Sequence, residues 1–389
     1  LSELNLLFCG DYVPARRYEP MIIEKGKEIF GDLQEDIAQA DVAFLNLEAP
    51  LTRRGAPIRK AGKKAGPNLR AAPACFDAVS GAGFDVVSLA NNHMMDQGVE
   101  GLEDSLSVCR DAGILTCGAG QNIGDARKPA FLSQQGVVIA IIAVAERQFG
   151  IAGEDEPGVA PLDAIDNFRQ VQQAKTQADL VFVSVHGGNE LYSWPRPGLR
   201  KLCHFLIESG ADAVICHHSH VPGAYELIDG KPIFYSLGNL IFDHVTPPEG
   251  WTSGYAVSLN YRDNALQGFE LIPFEQTLAA GGLKKLSGAS KDRFMQKLEG
   301  INKVLHDTNA FNSEWQSFCD LKEPQYIFEQ YSPVLSKTVR WLNQHTPLKQ
   351  SLLTKSTLNI KTNMLRCESH YELLMTVLEK KSKAFQAEE

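Results

Sequence analysis

Several short apolar stretches of this 389-residue chain run straight into residues that can bind a metal or move a proton. Gly10-Asp11 closes the first stretch, Asn46-Leu47-Glu48 the second and Asn91-Asn92-His93 the third. Further on, Val185 leads to His186, and the run from Asp212 to Cys216 leads into His217-His218-Ser219-His220. Two carboxylates, an amide with an imidazole, a lone imidazole and an HxH pair are the donor types for two divalent ions. Such ions, about 3.5–4 Å apart, clamp the attacking and leaving oxygens of a phosphoryl displacement. Mixed carboxylate and imidazole donors suit Mn, Fe or Zn better than Ca or Mg. A carboxylate can bridge the pair, and a histidine beside it can protonate a leaving oxygen. At alternate positions of a locally extended segment His218 and His220 point the same way, which turns His217 aside. Each residue alone has a plainer reading: Asp11 or Glu48 as a cap or surface carboxylate, His93 beside Met94 as a core imidazole. His204, His306, His345 and His370 sit in helical contexts and read as ordinary.

The elements that must position these groups follow from hydrophobic periodicity. From Leu4 to about Phe274, short apolar runs alternate with longer amphipathic stretches, the pattern of an α/β fold. The runs are 4–9, 42–47, 84–90, 114–117, 137–145, 180–185 and 213–216, and each ends at a polar or turn-forming residue. In open α/β sheets ligands bind beyond the carboxyl ends of strands, so the polar residues are expected to meet on one rim. The runs at 224–228, 232–237, 255–260 and 269–274 alternate more and predict an antiparallel portion. Helices are predicted over 99–112, 162–177 and 197–209, the last with Pro197 in its first turn and Gly210 past its end. Residues 53–70, rich in Gly, Pro, Lys and Arg, read as an exposed loop. After about residue 280 no strand-like run is expected. Lys-rich amphipathic segments near 291–306, 333–343 and 370–385 predict helices with largely solvated charged faces. The expected division is therefore 1–278 for the site-bearing domain and 279–389 for a helical extension.

Composition narrows the function classes. With 38 Lys+Arg against 47 Asp+Glu, the formal charge is −9, which argues against nucleic acid as a partner held by a global field. No apolar run approaches the roughly 20 residues of a membrane span. The eight cysteines show no CxxC spacing and read as small buried hydrophobes, which favours a cytoplasmic location. The chain starts at Leu1, so a removed leader, and with it a periplasmic or extracellular location, stays open.

Six blocks, taken in order, resemble the capsule-biosynthesis CapA family, also called poly-γ-glutamate capsule biosynthesis proteins. They are Gly10-Asp11 with Arg16; Asn46-Leu47-Glu48; Leu89 to His93 with Asp96 and Gly98; His186 to Glu190; Gly210 to Val221; and Gly230 to Asn239. The family is similar to calcineurin-like metallophosphoesterases, and the resemblance covers roughly residues 4–275. It implies a four-layer α/β/β/α sandwich with a dinuclear centre at its rim. By position, Asp11 would ligate one ion with His220, and Glu48 would bridge. Asn92, His186 and His218 would hold the second ion, and His93 would act as general acid or transition-state donor. Metallophosphoesterases usually begin Asp-x-His, whereas Asp11 is followed here by Tyr12 and Val13; Glu48 replaces an Asp, and Cys216 a Gly.

Around that centre Arg16 and Arg70 are candidates for gripping an anionic group, or surface ion-pair partners. Glu190 is a candidate base, an acceptor that orients His186, or an exposed loop carboxylate. Tyr192 and Trp194 either wall a substrate cleft or anchor their loop into the core. Asn239 and Asp243 are expected to brace the histidine loop. The leading expectation is a metal-dependent hydrolase of an anionic small molecule or polymer. The alternatives are an accessory component of a polymer-building machine, with the helical tail as a docking surface for a protein partner, and a metal-dependent peptide or amino-acid epimerase.

Overall fold

A computed structural model describes residues 3–58, 66–277, 279, 281–331 and 355–388. The strands are β1 (Glu3–Val13), β2 (Val42–Leu47), β3 (Val86–Ser88), β4 (Leu115–Cys117), β5 (Ala119–Gly120), β6 (Ala130–Gln134), β7 (Val137–Ala145) and β8 (Gly158–Val159). They continue as β9 (Leu180–His186), β10 (Ala213–His217), β11 (Tyr225–Ile228), β12 (Lys231–Phe234), β13 (Asn239–Phe242), β14 (Ser253–Arg262), β15 (Ala265–Thr277) and β16 (Gly282–Lys285). The α-helices are α1 (Tyr18–Lys25), α2 (Gln34–Gln39), α3 (Phe76–Ala82), α4 (Gly98–Asp111), α5 (Ile123–Ala126), α6 (Ala164–Lys175) and α7 (Pro197–Glu208). The remainder are α8 (Gly288–His306), α9 (Thr308–Tyr331), α10 (Lys355–Arg366) and α11 (Glu368–Glu388).

One sheet has the order β16-β15-β14-β1-β2-β3-β4, with β13 parallel to the end of β1; the other runs β11-β12-β10-β9-β7-β6. A register shift between Phe8 and Asp11 puts Phe8 and Tyr12, four apart, on opposite faces of β1. Phe8 points inward, its ring 5.3 Å from Phe182 of β9, while Tyr12 points outward to Phe30 at 5.8 Å. Tyr261 and Phe269 of the first sheet likewise meet Phe182 and Phe234 of the second edge-on. Ile22, Phe76 and Val79 cover the outer face of the first sheet. Val171, Leu199, Cys203 and Leu206 from α6 and α7 cover the outer face of the second. The result is the expected α/β/β/α sandwich, and all eight cysteines are buried and free.

The site-bearing strands β1, β2 and β3 are mutually parallel, as are β7, β9 and β10, so their carboxyl ends reach one rim. Gly10 allows the two parts of this rim to close. A Cβ there would sit 2.0 Å from the Gly238 carbonyl oxygen, and Asp11 N–H donates to that same carbonyl.

Beyond residue 280 the structure differs from expectation. Strand β16 pairs antiparallel with β15, and Leu283 joins the main core, so the first sheet extends to Lys285. Four residues give too little alternation to register as a strand. The segment expected as a helix at 333–343 lies outside the described residues. The described tail is not simply a solvated bundle: Trp315, Phe318, Met364, Leu373 and Val377 form a core of their own around Tyr192.

A buried ion cluster fixes this tail. Arg196, 4% exposed, pairs with Glu146 at the end of β7 and with Glu372 of α11. Glu146 also accepts from the backbone N–H of Gly188 and of Ser369. Gly187 is required beside it, because a Cβ there would meet Glu146 at 2.7 Å. Burial raises the Glu146 carboxyl, but the Arg196 charge outweighs it and holds the group below the usual range. Arg196→Met leaves the buried Glu146 and the partly buried Glu372 carboxylates without their cation and is expected to cost about 3–5 kcal/mol in urea unfolding. The same change should open residues 355–388 to limited proteolysis. In the wild type the Glu146 contribution is present above roughly pH 4.3 and is lost as the pH falls below it; that acid step should be absent from the variant.

Candidate metal centre

Each rim strand delivers one or two donors. Asp11 lies where the β1 register shifts, so its carboxylate turns towards the second sheet. Asn46 Nδ2 donates to Asp11 Oδ1 at 2.8 Å and lies 3.3 Å from His186 Nδ1, fixing both. That leaves His186 Nε2 facing Asn92 Oδ1 and His218 Nδ1, each at 3.0 Å. The Glu48 Oε1 atom is 3.5 Å from His186 Nε2 and 3.7 Å from His220 Nε2. On the other side, His220 Nδ1 lies 3.3 Å from Asp11 Oδ2 and 3.0 Å from Asn239 Oδ1. Asn239 Nδ2 donates to the His220 and Trp251 carbonyls, so Asn239 braces the loop. Asp243 acts one step away, pairing with Arg17.

Two compact donor groups result: Asp11, Glu48 and His220, and Glu48, His186 and His218, with Glu48 common to both. Glu48 is 0% exposed, and neither of its oxygens has a hydrogen-bond partner among the described residues. A buried, ionised carboxylate left like that is strongly disfavoured, and a bound cation is its natural complement. The residues therefore fit divalent metal. A third cluster, Glu146, Cys367 and Glu368, is already satisfied by Arg196, Arg147 and backbone N–H groups and reads as structural.

The electrostatics agree with ligand function. Burial pushes Glu48 well above the carboxylate range, opposed by His220. Burial also acts on Asp11, but the His217 and His220 imidazoles outweigh it and hold the group well below its ordinary value. His186 and His218 are driven down by burial, His218 to about 4, so both rings are neutral and ready to donate lone pairs. Burial lowers His220 too, but Glu48 and Asp11 carry it up to about 9, so without a cation this ring keeps the proton that balances the two carboxylates.

The expected extended geometry of the histidine loop is corrected. His218 has φ +94° and His220 φ +60°, both left-handed, a conformation that non-glycine residues rarely adopt and that is enriched at functional sites. This turn brings both rings to the cluster. His217 is not turned away: its Nδ1 lies 3.2 Å from Asp11 Oδ1, although neither ring nitrogen makes a hydrogen bond among the described residues.

A cavity of about 250 Å³ opens above the donors, with Asn92, His93, Glu190 and His218 in its wall. His93 Nδ1 is 2.6 Å from Asp96 Oδ2, and Asp96 also accepts the Leu69 N–H. Glu190 stands at the mouth and touches solvent. Burial raises its carboxyl, but the His218, His220 and His93 imidazoles outweigh that and lower it.

None of the four residues expected to contact substrate is among those lining this cavity. Arg16 is exposed and donates to the Asp243 carbonyl; Arg70 is exposed on the segment leading to Ala71. Tyr192 packs 4.3 Å from Phe318, and Trp194 Nε1 donates to the Ile301 carbonyl, so both anchor their loop. Sequence reasoning also passed over groups that matter. Glu146 follows a strand end and was open to the same logic as His186. His370, expected to be ordinary, lines the cavity, which only the folding-back of the tail brings about.

Fold and site together define a two-sheet α/β sandwich whose rim carries two donor clusters sharing one carboxylate. The chain belongs to the family described as bacterial capsule synthesis protein PGA_cap, whose pattern matches residues 5–244. It is 31% identical over 280 residues to the PGA biosynthesis protein CapA of Bacillus subtilis (strain 168), covering 70% of this chain and 71% of that one. It is 29% identical over 310 residues to the capsule biosynthesis protein CapA of Bacillus anthracis, covering 76% and 73%. A probable polyglutamine synthesis accessory protein of Mycobacterium tuberculosis is 32% identical over 219 residues, 52% of this chain and 56% of that one. A 5'-nucleotidase precursor structure from Thermus thermophilus aligns at TM-score 0.43 and 14% identity, over 79% of this chain and 60% of that one. Among the described residues no helix is long and apolar enough to cross a membrane.

Glu48→Gln removes a buried carboxyl whose oxygens have no hydrogen-bond partner among the described residues, so the metal-free variant should be about 1–3 kcal/mol more stable than the metal-free wild type. It should gain nothing on adding Mn. A less stable metal-free variant, or one stabilised by Mn as much as the wild type, contradicts the assignment.

Proposed function

We propose that the chain is a metal-dependent hydrolase of phosphoesterase type, acting on an anionic small molecule or polymer in capsule or poly-γ-glutamate metabolism. The observation that carries this reading is the buried Glu48 carboxylate shared by two donor groups, with the His93–Asp96 pair on the wall of the adjoining cavity. Asp11, Glu48 and His220 would hold one cation, and Glu48, His186, His218 and Asn92 a second. Two divalent ions there, Mn, Zn or Fe by donor type, supply Lewis acidity toward a phosphoryl oxygen.

The remaining work falls to the chain. Asn46 and Asn239 orient Asp11, His186 and His220, fixing which ring atom faces the centre. Asp96 accepts from His93 Nδ1, and the imidazolium form of His93 would deliver its Nε2 proton to the leaving oxygen. Glu190, ionised at the mouth, is placed to accept a proton on the solvent side. A second reading, an accessory component of polymer synthesis that hydrolyses nothing, is supported by the naming of the mycobacterial relative.

Protein loaded with Mn should cleave an aryl phosphate monoester or diester, and Glu48→Ala should abolish turnover. His93→Ala should lower kcat by about 10²–10⁴ while the metal-to-chain ratio stays unchanged. Protein that holds two ions yet leaves a broad ester panel intact contradicts the hydrolase and favours the accessory role.

A further inference from the structure

The cavity above the donor cluster has a roof that lies outside the family-matched segment. Its floor carries Asn92, His93 and His218, whereas α9 contributes Lys322 and Tyr326 and α11 contributes His370. The Arg196 ion cluster holds α11 against the loop after β9, so this roof is part of the fold and not a loosely attached tail.

Three features of the roof concern recognition. Lys322 is half-buried, with Nζ 5.4 Å from the centre of the Phe318 ring, and among the described residues no carboxylate pairs with it. A half-buried ammonium on a cavity wall with no carboxylate beside it favours an anion. The Tyr326 hydroxyl and His370 Nδ1 lie 2.5 Å apart, which ties α9 to α11 beside it. Independently, two side-chain amides lining the same cavity have unmet bonding: the Oδ1 atoms of Asn189, 7% exposed, and of Asn363 are buried without a partner among the described residues. Such an atom is disfavoured unless something bonds it, and the cavity is where that something would sit.

We propose that the C-terminal helices supply the second half of the substrate site. Lys322 binds an anionic group, carboxylate or phosphate, at the end of the substrate remote from the donor cluster, and Asn189 and Asn363 bond the polar atoms between. The ligand is then a short bifunctional anion, one end at the cluster and the other under α9. This rests on the reading of the cluster as a metal site that takes an anion. It makes Lys322 a specificity-determining residue.

The test is calorimetry on the Mn-loaded full chain with inorganic phosphate and with two series of phosphonates. One series is ω-phosphonocarboxylates with two to six methylenes; the other is alkylphosphonates of matching length without the carboxylate. At one or more lengths the carboxylate-bearing compound should bind at least about tenfold more tightly, the worth of one charge-assisted contact. Lys322→Met should erase that preference without changing phosphate affinity, and Lys322→Arg should retain it. Equal affinity of the two series for wild type at every length, or a preference that survives Lys322→Met, overturns the proposal while phosphate binding leaves the metal reading standing. Wild-type protein that binds Mn but no phosphate overturns the anion-site reading, and this proposal with it.

Discussion

A carboxylate with no solvent contact, and no hydrogen-bond partner among the described residues, is the constraint around which this molecule is arranged. Glu48 follows β2 directly, so its position is set by the sheet, and it lies within 4 Å of a ring nitrogen of both His186 and His220. In an apolar interior such a group is tolerable only if protonated or matched by positive charge. Its surroundings supply two neutral imidazoles, one protonated imidazole and an amide oxygen, and no Lys or Arg among the described residues pairs with it. Such a donor set fits cations, the protonated His220 being the single positive charge beside the two carboxylates among the described residues. The left-handed backbone at His218 and His220 belongs to the same arrangement. Strain of about 1–3 kcal/mol per residue persists only where the surrounding structure over-determines the turn, and Asn239 pins the loop from below.

Legibility in the sequence followed local physics. Strand ends at 47, 145 and 216–217 were readable because short apolar runs stop at polar residues, and parallel pairing then sends those residues to one rim. Strands β6, β13 and β16 were missed: each is short, and its identity comes from the partner it pairs with, not from its own periodicity. Helices α1 to α3 were missed for a related reason, since they are short and gain their stability by covering the sheet. The geometry of the histidine loop was not legible, because an alternating strand cannot anticipate two left-handed residues.

The site shows the same boundary between local and tertiary information. Asp11, Glu48, Asn92, His186, His218 and His220 meet in space because each is tied to a strand end. Tyr192, Trp194 and His370 could not be assigned from spacing. Which way the first two face, and what the third faces, depends on α9 to α11 folding back over the loop after β9. One Arg between two carboxylates decides that packing. The donor cluster lies within the segment matched to the PGA_cap family, whereas the roof over it comes from the C-terminal helices. Chemistry and enclosure are thus encoded in separate stretches of the chain.

The most direct measurement is anomalous diffraction at the Mn edge from crystals of the Mn-loaded protein. The account predicts two peaks flanking Glu48, one touched by Asp11 and His220 and the other by Asn92, His186 and His218. Crystals with no peak at Glu48, or with density only at the Glu146–Cys367–Glu368 cluster, would contradict it.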